Sequence, residues 1–204
     1  NTITVLCTPN LEITLQSRKC NDIVLKGTAY DAPNDFYFWW EKSTDGKNWQ
    51  KIPRATKTDT LQYALSEPLY FRINSEYTPS DPTEKLDVKA LTLKANPDKG
   101  ISGSLVQLIA TATNLNMDGA LYKWYRYEDQ ENPDTKNHWW AIAGTTDPAL
   151  EHTIDRPVDR ILVTADGCED EVEIKEITFD IEPIDRKCND IYLQPIATLG
   201  GEPI

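Results

Sequence analysis

Residues 36–52 read FYFWWEKSTDGKNWQKI, an aromatic run followed by a polar turn and a second tryptophan. Residues 70–73 then read YFRI. The same order returns later in the chain as 121–125 (LYKWY), 139–142 (WWAI) and 161–164 (ILVT). Trp40 and Trp124 lie 84 positions apart. One structural unit, made of a tryptophan strand, a second tryptophan three positions before an isoleucine, and an apolar strand, therefore occurs twice.

A second repeated string supports the length of that unit. Residues 18–23 read RKCNDI, and the identical string occupies residues 186–191, 168 positions later. This offset is twice 84, and Val88 and Val172 are also 84 positions apart. The period predicts two full units and the opening of a third. We expect a first unit at 1–92 (with a leading segment, 1–17), a second at 93–176, and the opening strands of an incomplete third at 177–204.

Short β-branched or aromatic runs separated by turn formers are typical of strands, and the sequence shows no convincing helical stripe. Asp31-Ala32-Pro33-Asn34 and Asp45-Gly46-Lys47-Asn48 are two of the turns. The pattern predicts an all-β fold of tandem immunoglobulin-like β-sandwich domains. The predicted strands are 23–30, 36–42, 61–65, 69–74 and 85–93 in the first unit, and 105–113, 120–127, 149–154, 160–165 and 171–179 in the second.

Composition narrows the class of partner. Of 204 residues, 39% are hydrophobic and 26% are charged, which favours a globular chain. The net charge of −12 disfavours nucleic acid and anionic membrane surfaces, because both attract clustered Lys and Arg. The sequence has no run of about 18 apolar residues that would predict a membrane span.

The four cysteines form two pairs that are local in the sequence. Their even number, the lack of a CxxC motif and their separation from both histidines favour disulfides in an oxidising compartment over zinc or redox chemistry. Reduced structural thiols are the alternative. Of the three possible pairings we expect Cys7–Cys20 and Cys168–Cys188. End-to-end stacking of sandwiches with strands of about 33 Å would keep Cys20 and Cys188 too far apart to bond.

Residues 38–56 read FWWEKSTDGKNWQKIPRAT. Their Trp-x-x-Ser-x-Asp-Gly turn, followed by Trp, Ile and Ala-Thr, resembles immunoglobulin-like repeats of Bacteroidota surface proteins. The second unit keeps the tryptophans and the strand-end Gly-Cys but replaces the turn by a longer insertion, 128–138. The resemblance implies a bacterial cell-surface adhesin, a gliding-type protein or cargo of an outer-membrane secretion system, among which fold alone does not choose. The matching residues are Trp40, Ser43, Asp45, Gly46, Trp49, Ile52, Ala55 and Thr56, then Trp124, Trp139, Ile142, Gly144, Thr145, Gly167 and Cys168.

The sequence contains no recognisable catalytic or metal-binding motif. It has no Gly-x-Ser-x-Gly elbow, no histidine pair at metal-binding spacing and no phosphate-cradling glycine loop. His138 lies in a polar segment and His152 in a predicted strand, so both are expected to be surface or edge residues. Asp-rich turns at 45–46 and 166–170 could bind calcium, but such turns are more often only solvated. We predict no enzyme activity, no cofactor and no metal.

Alternation along the tryptophan strands separates core aromatics from surface aromatics. Trp40 and Trp124 are expected to be structural core residues between the two sheets. Alternation then directs Trp39 and Tyr125 to the opposite face, and Trp140 is also expected to point outward. Exposed Trp and Tyr can stack on a sugar ring or anchor a protein, so these three are the candidate ligand-binding residues. In the alternative, Trp39 and Trp140 only cover a sheet face or a joint between units.

The sequence favours a non-catalytic segment of a secreted or cell-surface adhesin, acting as a spacer or as a binding module. The expected partner is a protein or glycan at a cell surface, with self-association through the C-terminal segment as a further option. No nucleic-acid partner and no direct membrane insertion are expected. The alternatives are a structural subunit of a filament, sheath or phage-like appendage, and an immunoglobulin-like spacer of a glycan-processing enzyme.

Overall fold

The computed structural model describes residues 8–33, 36–56, 59–116, 121–187 and 190–203. The described ranges are built from β-strands and contain no helix. The predicted all-β fold of tandem immunoglobulin-like sandwiches is confirmed. The chain divides into two compact units, residues 1–89 and 90–204. The C-terminal segment belongs to the second of these units.

The first unit is a sandwich of two three-stranded antiparallel sheets. Its strands are β1 (Asn10–Lys19), β2 (Asp22–Tyr30), β3 (Trp39–Ser43), β4 (Gln50–Thr56), β5 (Thr60–Ala64) and β6 (Tyr70–Asn74). One sheet has the order β1-β2-β5 and the other β4-β3-β6. Strand β1 bulges between Leu15 and Ser17, where its pairing with β2 shifts register.

Side chains from both sheets of the first unit meet in one apolar core. Ile23 and Leu25 of β2 are buried opposite Trp40 of β3 and Phe71 and Ile73 of β6. All five are at most 1% exposed. Burial of an aliphatic or aromatic side chain of this kind contributes roughly 1.5–3 kcal/mol. The alternation of apolar and polar residues along each strand therefore holds the two sheets together.

The turn after β3 explains the Ser-x-Asp-Gly sequence. Ser43 Oγ accepts a hydrogen bond from Gly46 N at 3.0 Å, and Asp45 Oδ1 accepts from the backbone N–H groups of Lys47 and Asn48 at 2.8 Å each. Gly46 has a φ of 70°, a conformation that favours glycine. The Asn48 and Lys47 N–H groups hold the pKa of Asp45 well below its usual range. These bonds fix the turn that leads into β4.

The second unit repeats this plan. Its strands are β7 (Ala90–Asn96), β8 (Lys99–Gly100), β9 (Leu105–Thr113), β10 (Tyr122–Tyr127), β11 (Trp139–Thr145), β12 (Ala149–Thr153), β13 (Val158–Ala165), β14 (Cys168–Lys187), β15 (Asp190–Leu199) and β16 (Glu202–Pro203). One sheet has the order β12-β9-β7, and the other begins β11-β10-β13-β14 and continues through β15 to β16. The short β8 pairs in parallel with β14. Trp124, Leu108, Ile161, Val163 and Ile174 have no exposed surface and form the core.

Some strands differ from those expected. The run 36–42 is a strand only from Trp39 onward. The run 85–93 is interrupted, because Leu86 makes an isolated bridge with Leu69 and the next strand starts at Ala90. Strand β1 was not expected, since most of its side chains are exposed and polar. Strand β14 extends the expected 171–179 in both directions.

Candidate functional site

The tryptophan strands carry different residues on their two faces. Trp40 and Trp124 are fully buried. Their neighbours Trp39 and Tyr125 are partly exposed on the opposite face of each sheet. The outer faces of the two units are therefore the candidate ligand-binding surfaces.

A charged network fills the outer face of the first unit beside Trp39. Glu41 is only 8% exposed and accepts hydrogen bonds from Trp39 Nε1 at 2.9 Å, from Arg72 Nε at 2.7 Å and from Asn74 Nδ2 at 3.1 Å. Lys51 Nζ lies 4.5 Å from the centre of the Trp39 ring. The indole N–H of Trp39 is thus bonded to Glu41, and the face of its ring is covered by the Lys51 ammonium group.

Each charged group of this network contacts another group of the first unit. Burial raises the pKa of Glu41, but the hydrogen bonds from Trp39, Arg72 and Asn74 outweigh it, and the pKa is lower than usual. Glu41 therefore stays ionised at neutral pH. The Arg72 guanidinium lies 4.3 Å from the centre of the Trp49 ring, so its charge is engaged by both an acid and an aromatic face.

Strand pairing identifies the equivalent positions in the second unit. Trp40 pairs with Ile73 as Trp124 pairs with Val163. One step along the strands, the Glu41–Arg72 pair corresponds to Tyr125–Leu162, Lys51 corresponds to Ala141, and Asn74 corresponds to Thr164. Each charged member of the first unit's network is replaced by an uncharged residue.

The second unit has a cleft at this position, with a volume of about 490 Å³. Tyr125, Ala141, Leu162 and Thr164 line it from the strands β10, β11 and β13. This volume lies within the usual range for small-ligand sites, about 300–1,000 Å³. Because the second unit has uncharged residues where the first unit has its charged network, space remains that a ligand can occupy. We call this feature the outer cleft.

The insertion 128–138 supplies one wall of the outer cleft. Asn132 Nδ2 donates to Trp139 O at 3.2 Å, and Asn137 Oδ1 accepts from Trp139 N at 2.9 Å. The Asn132 N–H also donates to Asn137 O at 2.6 Å. The insertion is therefore a folded loop that presents Asn132, Thr135 and Asn137 to the cleft.

Trp139 borders the outer cleft and is held by its neighbours. Its ring meets Tyr127 edge-on, with centroids 5.5 Å apart and planes at 80°. The Arg160 guanidinium lies 4.7 Å from the Tyr127 ring and 5.6 Å from the Trp139 ring. Arg160 Nε donates to Glu171 Oε1 at 2.8 Å, so this arginine is fixed in turn. These contacts fix the Trp139 ring at the edge of the outer cleft before a ligand binds.

Trp140 lies apart from the outer cleft. It pairs with Arg126 across the β10–β11 ladder, whereas Tyr125 pairs with Ala141. Paired residues share a face, and successive residues alternate, so Trp140 and Tyr125 lie on opposite faces. Trp140 is 36% exposed and borders a separate hollow of about 540 Å³ with the acidic segment 128–130.

The structure therefore places Tyr125 and Trp139 on the same cleft. Trp139 was not among the ligand-binding residues expected from the sequence. A bulge in the β10–β11 pairing between Trp124 and Tyr125 shifts the register. Simple alternation along either strand does not reveal such a bulge. The available signal was the alignment of Trp139 with Trp49, which already placed Trp139 in the repeated pattern.

The second unit contains an ion-pair cluster around Asp159. Asp159 has no exposed surface and accepts a hydrogen bond from Arg126 Nε at 2.6 Å. Arg156 Nε lies 3.3 Å from Asp159 Oδ1, and His152 Nε2 lies 3.1 Å from Asp159 Oδ2. His152 lies in the edge strand β12 and is a partner of a buried carboxylate. A carboxylate neutralised by two arginines is suited to structure, not to acid–base chemistry.

The other expected polar features also have structural partners. His138 Nδ1 lies 2.9 Å from Glu128 O, and its ring stacks on Tyr127 at 5.3 Å. In the Asp-rich turn, Asp166 Oδ2 accepts from Asn116 N at 2.8 Å, and Asp170 Oδ2 from Leu93 N at 2.7 Å. Among the described residues, no group of three His, Cys, Asp or Glu side chains is arranged to hold a metal ion. No helix in the described ranges is long and apolar enough to span a membrane.

Two of the four cysteines lie within the described residues, and both take part in disulfides. Cys20 and Cys168 are each disulfide-bonded. Each of the expected pairs, Cys7–Cys20 and Cys168–Cys188, includes a cysteine outside the described residues. The pairing therefore stays a prediction.

Comparisons with known proteins give likenesses in structure alone. No protein-family model and no curated protein matches the sequence. The three N-terminal domains of the highly immunogenic outer capsid protein (Hoc) of bacteriophage RB49 match 97% of this chain and 69% of theirs, with 14% identity and a TM-score of 0.32.

Two further solved structures resemble the chain at a similar level. The FN1–FN3 domains of chicken CNTN1 match 96% of this chain and 86% of theirs, with 10% identity and a TM-score of 0.30. A tetra-tandem repeat in the extending region of a large adhesion protein matches 93% of this chain and 56% of that one, with 13% identity and a TM-score of 0.27. Likeness at this level supports no inference about a ligand.

Proposed function

We propose that the chain is a non-catalytic segment of immunoglobulin-like repeats from a secreted or cell-surface adhesin of bacterial type. In this segment the first unit serves as a spacer and the second carries the ligand-binding outer cleft. The observation that supports the division is the contrast between equivalent positions. The Glu41–Arg72 ion pair, at 2.7 Å, fills the outer face of the first unit, and Tyr125 with Leu162 leaves that face open in the second.

The disulfide supports a location outside the reducing cytosol. Cys20 and Cys168 are each disulfide-bonded, and structural disulfides persist mainly in oxidising compartments. A secreted or surface-displayed protein meets that condition. The resemblance of residues 38–56 to surface repeats supports the same location and the bacterial lineage.

The use of ionisable groups supports a non-catalytic role. General acids and bases need pKa values tuned toward the working pH and access to a substrate. Glu41 has a lowered pKa and three donors around it, and Asp159 is enclosed by arginines. Neither carboxylate borders the outer cleft, whose acidic residues are the exposed Glu169 and Glu171.

The lining of the outer cleft favours a glycan as the ligand. Tyr125 and Trp139 supply aromatic surface that can pack against the apolar face of a sugar ring. Asn132, Asn137 and Glu169 supply amide and carboxylate groups suited to sugar hydroxyls, which both donate and accept hydrogen bonds. The cleft size fits one or two sugar residues rather than a flat protein interface.

A glycan array probed with the 204-residue chain and two matched variants tests this function. Tyr125→Ala removes the aromatic floor of the outer cleft and should abolish binding of any glycan that the parent retains. Trp39→Ala removes the outward aromatic of the tryptophan strand in the first unit and should leave binding unchanged. Loss of binding in Trp39→Ala alone would contradict the assignment of the two units. Capture of a cell-surface protein through Tyr125, with the array silent, would replace the glycan by a protein ligand.

A further inference from the structure

The C-terminal strands form a hairpin that extends from the sheet of the second unit. Strand β14 pairs with β13 as far as Lys175 and then, from Ile177, with β15. At the base of the hairpin, Gly200 N donates to Glu176 O at 2.8 Å. The hairpin of residues 177–199 therefore begins from an ordered sheet and not from a flexible tail. We call it the C-terminal hairpin.

The C-terminal hairpin repeats the pairing of β1 and β2 in the first unit. Leu11 pairs with Ala29, and Phe179, 168 positions later, pairs with Ala197. Both hairpins change register at the same point, between Leu15 and Ser17 in one and between Pro183 and Asp185 in the other. Equal register and an equal bulge show that the two hairpins are built to the same plan.

The two hairpins differ in what covers them. Leu11 is 8% exposed and Leu25 is 0% exposed, whereas their equivalents Phe179 and Leu193 are 73% and 56% exposed. Paired residues and alternate residues share a face. One face of the C-terminal hairpin therefore presents Phe179, Ile181, Pro183, Leu193, Pro195 and Ala197.

The apolar face of the C-terminal hairpin requires a partner, and the first unit shows what kind of structure covers an equivalent face. Exposed contiguous apolar surface marks an interaction site, and a lone hairpin is marginally stable in water. In the first unit the equivalent face is buried against β4-β3-β6, which contributes Trp40, Phe71 and Ile73 to the core. The complement of a β1–β2 face is therefore a three-stranded sheet with a central tryptophan.

We propose that the C-terminal hairpin is the first pair of strands of a third immunoglobulin-like unit. Its apolar face docks a three-stranded sheet with a buried tryptophan, supplied by polypeptide that continues beyond residue 204. This inference rests on register and burial and is independent of the ligand proposed for the outer cleft. A second copy of the chain could supply the same sheet, and the tests below distinguish the two sources.

Paired lysine substitutions test whether the face is open in the 204-residue chain. Phe179→Lys with Ile181→Lys should change the melting temperature by less than about 2 °C, because nothing covers these side chains. Leu11→Lys with Ile13→Lys, at the equivalent positions, should lower the melting temperature of the first unit by about 10 °C or more. An equal loss in both double variants would show that the face is already covered and would overturn the proposal.

A hybrid chain tests what the face accepts. Residues 31–89 are appended after Thr198, which is the equivalent of Tyr30, so that the protein supplies its own complementary sheet. Amide exchange at residues 179–181 and 193–197 should slow at least tenfold, and Trp40→Ala in the appended copy should remove this protection. Unchanged exchange in the hybrid would overturn the proposal. Protection that rises with the concentration of the parent chain would assign the face to a second copy instead.

Discussion

Tyr125 occupies, in the second unit, the strand position that Glu41 holds in the first. Glu41 draws Trp39, Arg72 and Asn74 into a network that closes the outer face, whereas Tyr125 faces Leu162 and leaves a cleft. Two units of the same fold thus present different surfaces because of a few outward residues. Substitution of those residues changes the surface without touching the core.

The core tryptophans should be the most sensitive positions of the two units. Trp40→Ala and Trp124→Ala should each destabilise their own unit by about 3–5 kcal/mol, because each removes a fully buried aromatic ring. Urea unfolding followed by fluorescence measures the loss. Trp140→Ala, at an exposed site, serves as the control and should cost less than about 1 kcal/mol. A Trp40→Ala or Trp124→Ala variant that unfolds like the parent would contradict the core assignment.

Removal of the buried charge at Asp159 should be costly. Asp159→Asn removes the buried carboxylate that Arg126 and Arg156 share and leaves them only the exposed Asp155 as a common acid. Loss of one partner of a buried ion pair typically costs about 3–5 kcal/mol. The control is Glu171→Gln, which breaks the exposed pair with Arg160 and should cost no more than about 1 kcal/mol. Thermal unfolding of both variants makes the comparison. Equal losses would show that the Asp159 cluster is not a structural centre.

The repeated spacing was sufficient to predict the fold and to align the two units. Alternation also placed Trp39 and Tyr125 on the face opposite the core tryptophans. It did not predict the partners of these residues, because the Glu41–Arg72 pair joins different strands and depends on pairing register. Because the bulge beside Tyr125 shifts the β10–β11 register, alternation alone did not predict that Trp139 shares a face with Tyr125. Alternation does not predict strand β1, because its side chains are mostly exposed and polar.

The Asp45 carboxyl should titrate at unusually low pH. The N–H groups of Asn48 and Lys47 stabilise its charged form and lower its pKa below the ordinary value. A pKa lowered by folding adds stability above the pKa of the unfolded chain, and this contribution disappears as pH falls through the folded pKa. Asp45→Asn should therefore be less stable than the parent at pH 7, and the difference should shrink below about pH 4. Carboxyl NMR titration measures the pKa, and a midpoint at or above the ordinary value would contradict the turn geometry.

The oxidation state of the cysteines can be measured directly. Peptide mapping without reduction should recover Cys20 and Cys168 only in disulfide-linked fragments, which reduction separates. Mapping under denaturing conditions with the thiols blocked at the start prevents exchange during digestion. Recovery of either residue as a blocked free thiol would contradict the structure.

Ligand binding by the outer cleft can be tested by transferring the closed face of the first unit to the second. Tyr125→Glu combined with Leu162→Arg installs the Glu41–Arg72 pair at the equivalent positions, which should fill the outer cleft with an ion pair. Calorimetric titration with the glycan that the parent chain binds best on the array should show at least a tenfold loss of affinity. The melting temperature should change little, because both positions lie outside the core. If the double variant keeps the parent affinity, the ligand binds elsewhere and the outer cleft is not the binding site.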